Sequence, residues 1–303
     1  MSLNKIIKRR FDKEMAKKSA CKIMIKKFFK NEKIGSFGLI ITIILLIISI
    51  FANVIAPYGM NEADIDNKLQ SSSSTHLFGT DNLGRDILSR IIYGAQVTVV
   101  VGFSASLLST VISVILGLFS GYFGGKFDLI IQRVVDLMMA FPSIILLIAL
   151  MSILGTGVVQ LIIVLGLRSG IVGSRLIRSA VIDVKENVFV DAANAIGCSN
   201  KRILLRHILP HIISTIIILF TTRVPNMVMV EASLSFLGFG IPAPFPSWGG
   251  MLSSGREFMI KAPFLLIWPG LALSIVVFGI NMLGDSIRDL IDPRMKGIKK
   301  RKG

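Results

Sequence analysis

The sequence predicts an all-α integral membrane protein with six transmembrane helices and both termini in the cytoplasm. Three observations carry this. The 303 residues are 52% hydrophobic, with a mean hydropathy of +0.72, which is more apolar than soluble domains usually are. The apolar residues fall in blocks close to the roughly 20 residues a helix needs to cross the hydrocarbon core. Lys and Arg cluster in alternate connections, as they do when cytoplasmic loops carry the positive charge.

The blocks span 38–56, 97–119, 137–154, 158–177, 212–230 and 264–283, with Arg168 inside the fourth and Arg223 inside the fifth. Helices are expected because an open strand leaves its backbone polar groups unsatisfied in lipid. Barrel strands, by contrast, alternate over about 10 residues. The net charge of +16 could by itself point to nucleic acid, but basic cytoplasmic loops account for it, so the partner is the bilayer and no nucleic acid is expected.

The basic residues assign the sides. Segment 1–33 carries 12 Lys and Arg, 168–211 carries seven, 284–303 carries seven, and Lys126 and Arg133 join the same side. The alternate loops hold Lys68, Arg85, Arg90, Arg256 and Lys261. The expected organisation is a basic cytoplasmic segment at 1–33 and a first transmembrane helix with an external segment at 34–96. A core at 97–284 follows, containing a cytoplasmic loop at 180–210, and then a basic tail at 285–303. Segment 1–33 suits a helix lying along the inner surface, attracted to anionic lipid, or a plain topology anchor, which the positive-inside rule favours. The first block is expected to be retained, being longer than a signal h-region of roughly 7–15 residues, and Pro57 spoils the small-residue site before it.

In the external segment, Asp81 and Asp86 superficially resemble a calcium loop, but the EF-hand pattern is absent. A turn at Gly79, an N-cap at Thr80 or Asp81 and a helix leading into the second span fit better. Gly117, Gly121 and Gly125, and Gly166 with Gly170, stand at the spacing that lets helix backbones approach closely. They suit packing within the chain and packing between subunits equally. Pro142 and Pro225 should kink the third and fifth spans.

Arg223 lies about 18 Å along the fifth span at 1.5 Å per residue. Intramembrane charges usually face a cavity or a partner, so Arg223 is a candidate for the translocation path, or else a structural Arg. Arg168 is placed nearer the inside, where it could snorkel. Glu231 is expected to end the fifth span at the outer face, where it could pair or gate. Asn226 is a weaker path candidate, and so is Asn281, since interhelical hydrogen bonds explain both equally well.

No catalytic or metal constellation is found. His207 and His211 share a helical spacing, but Pro210 lies between them and the HExxH glutamate is missing. Cys21 and Cys198 are distant from each other and both fall on the cytoplasmic side, where disulfides are rare. No GxSxG elbow occurs. Gly121 to Phe127 lacks the P-loop spacing, so no ATP site of that type is expected.

The stretch 191–210, DAANAIGCSNKRILLRHILP, reads as a cytoplasmic hairpin. Asn187 can cap a helix over 188–196, Gly197 can turn left-handed, and Ser199 can cap a second helix over 201–209. Ala192 and Ala193 put two small side chains where a partner could approach. A docking hairpin and a plain connector fit these residues equally.

The stretch resembles the EAA signature of permease subunits in ABC importers through Asp191, Ala192, Ala193, Gly197, Ile208, Leu209 and Pro210. Asp191 replaces the usual Glu, and His211 stands where Asn is usual in the peptide branch. Segments 76–95, 231–240, 246–252 and 283–294 resemble the C-type permeases of the dipeptide, oligopeptide and nickel branch. Arg168 departs from that pattern.

The resemblance implies a type I ABC importer permease fold in a bacterial cytoplasmic membrane and a non-enzymatic role. It implies a B-type permease partner, two ATPase subunits that bind ATP and Mg, and an extracytoplasmic substrate-binding protein. Asp191, Ala192, Ala193 and Gly197 would meet an ATPase, and Ile208, Leu209 and Pro210 would pass its motion to the membrane. Peptide is the expected cargo and a nickel or metal chelate the alternative. A secondary transporter is the more distant reading, against which stands the lack of internal repeats and of an intramembrane acid chain.

Overall fold

A computed structural model describes residues 32–291. Nearly all of the basic segment and most of the tail expected at the two ends lie outside the described residues. Among the described residues the regular structure is helical, apart from two isolated bridges, Ala63 with Arg85 and Thr80 with Asp86.

Helix α1 (Lys33–Ile50) is followed after Phe51 by the short α2 (Ala52–Ile55). The chain then forms a loop that ends at α3 (Ile87–Phe123). The cap of α3 is Asp86, whose carboxylate accepts from Ser89 N at 2.8 Å. The helix therefore begins later than a cap at Thr80 or Asp81 would place it. Those two residues are held in the loop. Thr80 Oγ1 donates to Asn67 O, and Asp81 Oδ1 accepts from Leu83 N at 2.8 Å and Arg85 N at 3.0 Å. The turn at Gly79 is present, with φ +82. At 37 residues α3 is about 55 Å long, well beyond a hydrocarbon core of about 30 Å. It also runs unbroken across the expected division at 96–97.

The expected third span falls on the end of α4 (Gly125–Ala140) and on α5 (Ser143–Leu154), bent at Pro142 as expected. They meet at 97°, so block 137–154 is not one straight helix. Pro142 has no N–H to continue the ladder, and Phe141 before it is extended at φ −92, ψ 138. The chain continues with α6 (Val158–Lys185), α7 (Val188–Ala195), α8 (Asn200–Arg202), a π turn (Ile203–Ile208), α9 (Leu209–Phe236), α10 (Trp248–Gly255) and α11 (Phe264–Ile291). Five helical segments are long and apolar enough to cross a membrane, and the bent α4–α5 pair brings the number to six if it counts as one span. Pro225 sits inside α9 without dividing it.

Small residues set the packing. A Cβ on Gly117 would lie 2.6 Å from Ile177 Cβ, and one on Gly121 2.9 Å from Val181 Cβ. Reciprocally, Gly166 lies under Leu108 and Gly170 under Ile112, at 2.6 and 2.7 Å. Both glycine pairs therefore join α3 to α6 within the chain. Gly125 takes no part; at φ +56 it opens α4 with nothing near it. A third close contact clasps α1 to α11, where Gly38 would put a Cβ 2.4 Å from Gly279 O.

Candidate functional site

The 188–210 hairpin is built from the end of α6. Asn187 stands at the N-cap of α7, but its amide donates backward to Asp183 O and Val184 O at 2.9 and 3.0 Å. Gly197 takes φ +76 after α7, and Cys198 N returns to Ala193 O at 3.0 Å. The tight left-handed turn expected of this glycine is therefore formed. Ser199 makes no side-chain cap. The second helix does not stop at 209, because α8, the π turn and α9 are continuous. Pro210 falls in the first turn of α9. It offers no N–H and its ring crowds the preceding turn; the widened π turn absorbs both without a break. Two contacts tie the hairpin to α3: Tyr122 OH donates to Asn200 Oδ1 at 2.9 Å, and Lys185 Nζ donates to Tyr122 O at 2.7 Å.

Burial divides the signature residues. Asp191, Ala192, Gly197 and Pro210 are exposed, and Leu209 is half-buried. Ala193 and Ile208 are buried in a cluster with Val190, Ile203, Tyr122, Ile177 and Val181. The two alanines therefore do not share an outward face: the helix turn between them directs Ala193 into the chain's own core. In its place the outward ridge reads Val188, Ala192 and Ile196, with Val188 81% and Ile196 80% exposed. Residues four apart share a helix face, so this ridge was available from the sequence once the helix bounds were set. His211 stacks on Phe189 at 4.7 Å and its Nδ1 meets His207 O at 2.6 Å.

The membrane-embedded polar residues occupy different surroundings. Arg223 reaches from α9 to Ser109 Oγ, and to Ser113 Oγ at 3.2 Å, on α3. It fills the notch left by Gly173 on α6, so it is a hydroxyl-held clamp among three helices. Glu231 is not at an open outer face. It is 1% exposed, α9 continues past it to Phe236, and Ser235 Oγ donates to its Oε1 at 2.8 Å. Asn226 and Asn281 are exposed and donate to their own helices, to Thr222 O at 3.0 Å and Val277 O at 2.9 Å, not across helices.

Arg168 belongs to a ladder that the sequence did not reveal. Arg178 forks onto Asp128, Nε to Oδ1 at 2.6 Å and Nη2 to Oδ2 at 2.5 Å. Arg175 Nη2 donates to Asp136 Oδ1 at 2.5 Å. Arg168 Nη2 donates to Ser143 Oγ at 2.5 Å. Three arginines of α6 thus meet Asp128 and Asp136 on α4 and Ser143 at the start of α5, in antiparallel order. Arg168 lies about 15 Å from the first residue of α6, and its guanidinium reaches sideways to the start of α5. The signal that could have exposed the ladder is the match of acidic residues before the Pro142 bend to basic residues in the next helix.

A long-helix bundle packed through glycines, with a short-helix hairpin at one end, is the architecture of a multi-pass membrane protein. Residues 113–297 match the model of the binding-protein-dependent transport system inner membrane component, and residues 19–71 match that of the N-terminal TM domain of oligopeptide transport permease C. A dipeptide transport system permease from Alkalihalophilus pseudofirmus is 42% identical over 270 residues, covering 89% of each chain. A glutathione transport system permease from Escherichia coli is 41% identical over the same share. The fold matches a chain of the inward-facing MetNI methionine ABC transporter with TM-score 0.55 and 18% identity, covering 67% of this chain and 96% of that one. The chain belongs to the binding-protein-dependent transport system inner membrane component family, the permease subunits of ABC importers.

Proposed function

We propose that this chain forms half of the translocation path of an ATP-driven importer of di- or oligopeptides. The observation that carries the reading is the similarity over 89% of the chain to dipeptide and glutathione permeases. A B-type permease supplies the other half. Two ATPase subunits, which bind ATP and Mg, dock beneath, and an extracytoplasmic binding protein delivers the peptide. The bacterial cytoplasmic membrane is the site, with both termini inside, as the distribution of Lys and Arg supports.

Within this reading the hairpin is the coupling element. Val188, Ala192 and Ile196 form the apolar ridge that an ATPase groove takes up, and Asp191 and Gly197 lie beside it. Ala193 and Ile208 anchor the hairpin to the bundle. The continuous helix through Leu209 and Pro210 carries its displacement into α9 as a rigid-body shift. Arg168 and Asn226 line the path, while Arg223 and Glu231 act as interior supports.

The test is purification of the tagged chain from native membranes in mild detergent, followed by reconstitution with its binding protein. The expected result is co-recovery of a second permease and ATPases, with ATP-dependent uptake of a labelled dipeptide. Recovery of the chain without any ATPase would count against an importer. ATP-dependent uptake of a nickel chelate in preference to dipeptide would move the cargo to the metal branch.

A further inference from the structure

We propose that Arg168 is the subsite for the free carboxylate of the transported peptide. This rests on the peptide-importer reading above.

The ladder between α6 and the α4–α5 hairpin supplies the reason. Its two rungs farther from the bend are ion pairs, Arg178 with Asp128 and Arg175 with Asp136. The rung at the bend has the same cation and, like that of Arg175, a single bond from Nη2, but a hydroxyl, Ser143, replaces the carboxylate. Among the described residues no carboxylate lies within ion-pair reach of Arg168, and its Nε is buried with no hydrogen-bond partner. A guanidinium presents donors in a planar fork that matches a carboxylate through two parallel bonds. Ser143 takes a hydrogen of Nη2 and leaves Nη1 without a hydrogen-bond partner among the described residues. Holding such a cation inside a membrane is costly without a counter-charge, and a carboxylate entering from the path relieves that cost.

The bend that Arg168 faces is open in this chain. α6 turns its glycines, Gly166 and Gly170, toward α3, and Arg168 projects instead toward the α4–α5 bend. There Phe141 is 55% and Ile145 60% exposed, and Ser143 is exposed. Every described peptide-like cargo of the relatives carries a carboxylate by its chemistry, and the neighbouring Arg175 is already neutralised by Asp136. Arg168 is therefore the one ladder cation left to recognise it.

The experiment uses the full reconstituted transporter with its binding protein, and uptake of a labelled dipeptide is normalised to assembled complex. Arg168→Gln should lower uptake at least tenfold, and Arg168→Lys should retain part of it, since a point charge keeps attraction but loses the fork. Ser143→Asp is the decisive variant. It supplies an internal carboxylate, completes the third ion pair and should also lower uptake at least tenfold. A merely structural Arg168 predicts wild-type uptake in Ser143→Asp, and that result would overturn the proposal, as would loss of the second permease from the Ser143→Asp or Arg168→Gln complex, which would assign Arg168 to pairing between the subunits. Unchanged uptake in Arg168→Gln would do the same. Failure of the unaltered complex to take up any dipeptide would remove the peptide reading and this inference with it. Uptake that ignores these substitutions removes the inference alone.

Discussion

Gly117 has no room for a side chain. A valine there would press on Ile177 Cβ at 2.6 Å and Ser174 O at 2.8 Å, and the neighbour is backbone as well as side chain, so α3 and α6 must separate. Overpacking of this kind costs about 1–3 kcal/mol. Gly117→Val should lower the thermal midpoint of the purified complex in detergent, whereas Gly59→Ala, whose Cβ would meet its nearest neighbour at 3.6 Å, should leave it unchanged. Gly197 differs in kind: nothing lies within 4 Å, but φ is +76. Its constraint is the left-handed backbone alone, which a β-branched residue pays at about 1–2 kcal/mol and Asn tolerates. Gly197→Val should uncouple peptide uptake from ATP hydrolysis or abolish the hydrolysis, and Gly197→Asn should keep most of both. Wild-type coupling in the valine variant would remove the turn from the mechanism.

The α4–α5 element hangs on few tertiary ties, and the Arg178–Asp128 fork is the strongest. Both side chains are at least two-thirds buried, at 30% and 15% exposure, and Asp128 also accepts from Ser120. Asp128→Asn weakens a charge-assisted pair by roughly 1–3 kcal/mol. The expected outcome is faster amide hydrogen exchange throughout 125–140 with α3 and α6 unaffected. The sequence showed this element in part: Pro142 marks the bend, but hydropathy gives no angle, and the chain turns there by 97°. The hairpin is more legible, with α7 and the Gly197 turn where the sequence puts them, because turn chemistry is local. The inward face of Ala193 was not legible, since it depends on Ile203 and Ile177 arriving from distant segments. For the same reason the ladder partners of Arg168, Arg175 and Arg178 emerged only once α4 and α6 lay side by side.

At the scale of the molecule the class was legible because bilayer thickness imposes block length directly on the chain, and the motif order of the last third carried the family. Which side chain meets which was not, because glycine spacing alone does not say which helix approaches. The clasp between α1 and α11 has a temporal consequence. Its two halves, Gly38 and Gly279, are about 240 residues apart, so at the usual 5–20 residues per second of synthesis the first helix waits roughly 12–48 s for its partner. During that interval its small-residue face must be occupied by lipid or by the insertion machinery. A ribosome stalled before α11 should therefore leave position 42, one turn along the same buried face, open to thiol labelling when Thr42 is replaced by cysteine, and completion of the chain should close it. The last helix to be made is thus the one that releases the first from custody.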